Sequence, residues 1–78
     1  DTAIDDSGLL ARFARGDGEA FSTLVARHGG SVCATCRRIA GADGDDAAQA
    51  VFLVLARRAQ ELVQHPSLSA WLHRTAVH

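Results

Sequence analysis

Apolar residues recur every three to four positions along most of the chain, and the breaks in that rhythm fall on residues that stop and start helices. Leu9, Leu10, Phe13 and Ala14 follow Asp5-Asp6-Ser7 and precede Gly16, which predicts a helix over 6–15. From Asp17, a capping residue, Phe21, Leu24, Val25, His28, Val32, Cys36 and Ile39 keep the same period as far as Gly41 and predict one long helix over 18–40. Gly29-Gly30 costs this helix ~1 kcal/mol at each position relative to Ala and marks where a kink or break would fall. A third helix, over 44–63, follows the short Gly41-Ala42 turn, and a fourth, over 68–78, follows the loop Gln64-His65-Pro66-Ser67, where Pro disfavours helix in the residue before it. Ser67 or Ser69 caps the last helix, in which Leu68, Trp71, Leu72 and Ala76 make an apolar stripe. No strand pattern competes. The expected fold is all-α, a compact bundle of about four helices around one core.

The third helix carries its direction in its charges. Asp43 stands at the capping position, Asp45 and Asp46 lie at the positive end of the helix dipole, and Arg57 and Arg58 lie towards the negative end. At roughly 100° per residue, Ala47, Ala48, Val51, Val54, Leu55, Ala59 and Leu62 form one broad apolar face suited to the core. The opposite side carries Asp46, Gln49, Ala50, Leu53, Arg57 and Gln60, with Phe52 and Ala56 on its border. Leu53 thus sits among polar groups. An isolated exposed leucine is common on a solvated helix, but one placed beside a carboxylate and a carboxamide also suits a partner surface.

With 78 residues the chain has room for one domain and buries only about 60% of its unfolded surface, so marginal stability and a role within a larger protein are expected. The lack of an initiating Met and the finish at His78 inside a helical pattern point the same way. No segment approaches the ~20 apolar residues of a membrane span, and no basic start followed by an apolar run marks export, so no membrane partner and a cytoplasmic location are expected. Cys33 and Cys36 should then be reduced thiols. The net charge of −1 conceals segregation: residues 20–40 hold Arg27, Arg37 and Arg38 with no acid, whereas residues 41–56 hold three Asp and no Arg. Such alternation suits a domain joining two partners of opposite charge, and dipole matching on separate helices produces the same pattern.

The run Asp43-x-Asp45-Asp46-Ala47-x-Gln49-x-x-Phe52 resembles the D-A-E-D-A-x-Q-x-x-F signature in region 2 of bacterial extracytoplasmic-function sigma factors, promoter-specificity subunits of RNA polymerase. Leu9-Leu10-x-Arg12-Phe13-x-x-Gly16-Asp17-x-x-Ala20-Phe21-x-x-Leu24-Val25-x-Arg27-His28-Gly29 resembles the opening of that family, and Ser69-x-Trp71-Leu72-x-Arg74-x-Ala76 its W-L-x-x-x-A segment. Three ordered matches span nearly the whole chain. Asp45 replaces the more usual Glu, and Ala50 stands where many members carry Glu. The resemblance implies a non-enzymatic region 2 domain, without the family's second DNA-binding domain, that docks on the β′ coiled coil of the polymerase core and recognises and melts the −10 promoter element. On that reading Asp46, Gln49, Ala50, Phe52, Leu53 and Ala56 meet β′. His65, Pro66, Ser67, Trp71, His73, Arg74 and His78 meet the non-template strand, and an anti-sigma factor is a further partner. Trp71 at helical spacing with Leu68 and Leu72 also reads as core with one exposed edge.

Other chemistry is poorly supported by spacing. His28, Cys33 and Cys36 are similar to the H-x-x-x-C-x-x-C zinc signature of some anti-sigma factors, which makes a redox or zinc-sensing helical module the alternative function. The spacing is one residue too long. On an ideal helix Cys33 is rotated roughly 140° and Cys36 roughly 80° from His28, and a structural zinc site wants four converging ligands. Asp43-x-Asp45 lacks the later ligands of a calcium loop, no phosphate-binding loop is present, and the four histidines are scattered. No metal, cofactor or catalytic residue is expected.

Overall fold

Asp5 opens the first helix by accepting a hydrogen bond from the Gly8 amide at 2.8 Å, and the computed structural model, which describes residues 4–77, carries that helix, α1, over Asp6–Ala14. It stops one residue earlier than the spacing predicts. Gly16, at φ 104, takes the left-handed conformation, so that its amide bonds back to the Phe13 carbonyl at 2.9 Å and the Asp17 amide to the Arg12 carbonyl at 3.0 Å. The same Asp17 starts α2, Gly18–Ala40, its Oδ1 accepting from the amides of Glu19 and Ala20 at 3.1 and 3.4 Å while its Oδ2 holds Arg12 at 3.1 Å. One carboxylate closes the first helix and opens the second.

Gly29 and Gly30 do not break α2. Leu24, His28, Val32 and Cys36 bury the same side of the helix on both flanks of the pair, and burial outweighs the local propensity cost. Because Gly30 is exposed, helical and faces open space where a Cβ would stand, Gly30→Ala should raise unfolding free energy by about 1 kcal/mol. Thermal melts followed by circular dichroism will show this as a higher midpoint; an unchanged or lower one would mean that the helix needs glycine there.

The chain reverses at Gly41, φ 60, and passes through a 3-10 turn, Gly41–Asp43, directly into α3, Gly44–Leu62; α4 follows over Leu68–Val77. Helical backbone among the described residues therefore forms three stretches, 6–14, 18–62 and 68–77, rather than about four separated ones. The cause is the 3-10 turn, which leaves no extended residue between α2 and α3. It also removes the predicted cap: Asp43 lies at φ −88, ψ 6, its side chain makes no capping bond, and the Gly44 amide bonds to the Gly41 carbonyl instead.

α2 packs against α1, α3 and α4, with α1 also against α3 and α3 against α4. Each helix contributes one leucine that is almost wholly enclosed, Leu10, Leu24, Leu55 and Leu72. Around them lie Leu9, Ala20, Val32, Cys36, Ala48, Val51, Ala59, Leu62 and Leu68. The rings of Phe13 and Phe21, centroids 4.7 Å apart, join α1 to α2, and the Ser7 hydroxyl donates to the Val63 carbonyl at 2.6 Å, tying α1 to the end of α3. Ile39 departs from the expected core pattern. It is 54% exposed because it lies in the last turn of α2, one turn beyond Cys36, the last buried residue of that helix. Cys36 is core and Cys33 half-buried beside it; burial, and then the neighbouring Cys33, push the Cys36 thiol up. No helix among the described residues is long and apolar enough to cross a membrane.

Candidate interaction surfaces on the last two helices

α3 divides along its length. Gly44, Ala48, Val51, Leu55, Ala59 and Leu62 are buried, and at roughly 100° per residue they share one side. Asp46, Gln49, Ala50 and Leu53 are exposed on the other, and Leu53 is open over 58% of its surface. Phe52 and Ala56 are half-buried, and Phe52 packs against the core, so only part of its ring adds to that outer stripe. Asp45 is engaged by Arg37 at 2.8 Å, whereas Asp46 makes no hydrogen bond or ion pair among the described residues. The stripe thus offers a partner one unpaired carboxylate, one carboxamide and one leucine, and covering the 58% of that leucine still exposed would be worth roughly 1–2 kcal/mol.

The loop and α4 are joined by short polar contacts. Ser67, not Ser69, caps α4, its Oγ accepting from the Ala70 amide at 3.1 Å. The Ser67 amide donates to His65 Nδ1 at 3.2 Å, and Arg74 Nη2 lies 3.3 Å from His65 Nε2. A neutral imidazole that accepts at Nδ1 carries its proton on Nε2, so it cannot also accept from Arg74. Arg74 can only donate, so the tautomer of the ring sets which of the two contacts is a hydrogen bond. Pro66 is exposed between these groups. Trp71 is half-buried against the core, as the apolar spacing implies, with part of its surface lining a cleft between α3 and α4 together with Arg74. His73 does not join this set; it lines the groove between α2 and α4 with Arg27, His28 and Thr35. His78 lies outside the described residues.

Pairing across elements removes much of the charge segregation seen along the chain. Across elements Arg27 binds Asp6 at 3.0 Å and Arg37 binds Asp45; within α3 Arg58 binds Glu61 at 3.3 Å, so Arg57 and Arg74 are the arginines after residue 56 with no carboxylate partner among the described residues. These pairs are largely exposed and worth at most about 1 kcal/mol each. Asp6, a helix-start residue by its place in the sequence, also meets the buried His28, Nε2 to Oδ2 at 2.9 Å. That contact turns the His28 ring towards α1. No three His, Cys, Asp or Glu side chains among the described residues are placed to hold a metal ion.

Helical periodicity does not predict the cleft between α3 and α4. Ala47 and Val54, expected in the core, are only half-buried, because the face they occupy is turned towards α4 across open space. Periodicity shows that such residues leave the outer surface, but not whether a neighbouring helix closes over them.

No family model, curated protein or solved structure matches the chain.

Proposed function

We propose that this chain is a non-enzymatic region 2 domain of an extracytoplasmic-function sigma factor, which docks on the polymerase β′ coiled coil and engages the −10 promoter element. The observation that carries the reading is the exposed stripe of Asp46, Gln49 and Leu53, set within the run Asp43 to Phe52 that resembles the family signature and flanked by the two further motif matches. A leucine left 58% exposed beside an unpaired carboxylate, in a domain that encloses one leucine from every helix, is suited to a partner bearing an arginine and an apolar patch. Ala50, Phe52 and Ala56 would complete that contact. His65, Pro66, Ser67, Trp71 and Arg74 are the group best suited to the non-template strand, with His73 on the neighbouring groove as a peripheral member. An anti-sigma factor that covers the α3 stripe fits the same chemistry. Two unpaired arginines after residue 56 neutralise few phosphates, so DNA binding by the isolated domain would be weak and sensitive to salt.

Asp46→Arg tests the docking surface. Because Asp46 is exposed and unpaired, the reversal should leave helical content intact while weakening binding to a β′ coiled-coil fragment by about 2 kcal/mol, roughly thirtyfold. Affinity equal to wild type, measured by calorimetry, would remove the outer face of α3 from the interface.

A further inference from the structure

α3 and α4 flank an open cleft of about 710 Å³, with Ala47, Ala50, Val51 and Val54 on one wall and Trp71 and Arg74 on the other. We infer that this cleft binds a small amphipathic aromatic carboxylate, its fused rings against the apolar wall and Trp71 and its carboxylate on Arg74. Trp71 and Arg74 also belong to the surface proposed for the non-template strand, so the acid and that strand would compete for them. The volume falls within the roughly 300–1,000 Å³ of small-molecule sites, which are mostly apolar with a few fixed polar groups. Two alanines leave the α3 wall flat, and the half-buried indole presents an aromatic surface opposite.

Charge selects the ligand. Among the described residues Arg74 is the one charged residue lining the cleft, and it makes no ion pair; its one polar contact is with His65 Nε2 at 3.3 Å. Its planar fork matches a carboxylate in two parallel hydrogen bonds. An acidic side chain at position 50 would supply that partner from across the cleft, and Ala50 does not.

Trp71, the sole tryptophan, reports directly on occupancy. Titration of the chain with pyrenebutyrate, an aromatic carboxylate, should quench Trp71 emission saturably, and the neutral alcohol pyrenebutanol should bind about tenfold more weakly, the ratio expected when one charge-assisted pair is lost. Arg74→Gln should abolish that tenfold preference, and Ala50→Glu should do the same by supplying an internal carboxylate. Both positions are exposed, so circular dichroism should show the helical content of wild type. Equal affinity for acid and alcohol, a preference that survives Arg74→Gln, or no saturable quenching would overturn the assignment.

Discussion

Leu55→Ala should lower unfolding free energy by about 3 kcal/mol, whereas Leu53→Ala, on the same helix, should change it by less than about 0.5 kcal/mol. Leu55 has no exposed surface and Leu53 is 58% exposed, so the first truncation opens a cavity among four helices and the second removes atoms already in water. A chain of 78 residues has a total stability of roughly 4–12 kcal/mol, so the Leu55 variant gives up at least about a quarter of it and its thermal midpoint should fall by on the order of 15 °C. Urea and thermal denaturation followed by circular dichroism measure both values. Similar losses for the two variants would mean that the two sides of α3 are not divided as described. The contrast also serves function, because a Leu53 variant with native stability that fails to bind β′ has lost a contact and not a fold.

Which side of each helix faces inward was legible in the sequence, and the limits of α2 were legible to the residue. Gly16 and Asp17 are local devices, one supplying positive φ and the other a capping carboxylate, and neither depends on what packs nearby. Leu53 was placed outside by rotation alone, since its angular distance from Leu55 is fixed by helix geometry. What the sequence did not carry was set by contacts between elements. Asp43 has the composition of a cap, but the chain enters α3 already turning and the Gly44 amide has a backbone partner. Asp6 resembles any helix-start acid until α2 brings Arg27 and His28 against it, 21 and 22 residues away. Of the candidate DNA-facing residues, His65, Ser67, Trp71 and Arg74 gather near one another, whereas His73 faces α2. Neighbours in sequence on a helix point about 100° apart, and only the third helix beside them decides which groove each enters.

Gly44→Ala should destabilise the protein by about 2 to 3 kcal/mol, although the substitution replaces a poor helix former with the best one. The reason is the joint between α2 and α3. Gly44 is buried at the first position of α3, and a Cβ built on it would lie 2.6 Å from the Cα of Arg37, 2.7 Å from its Cγ and 2.8 Å from its amide nitrogen. Two of those three atoms are backbone, so no rotamer change relieves the contact, and the helices must separate where the 3-10 turn holds them together. The gain in propensity is small at a helix terminus and cannot offset overpacking of this kind. Separation would also displace Asp45 from Arg37, 2.8 Å away, and with it the first turn that presents Asp46. Thermal melts should show the midpoint falling by roughly 10–20 °C, against a rise for Gly30→Ala, the same chemical change made where the Cβ meets open space. A neutral or stabilising Gly44→Ala would show that the joint opens at little cost, and the packing of α2 on α3 near Arg37 would then contribute little to the fold.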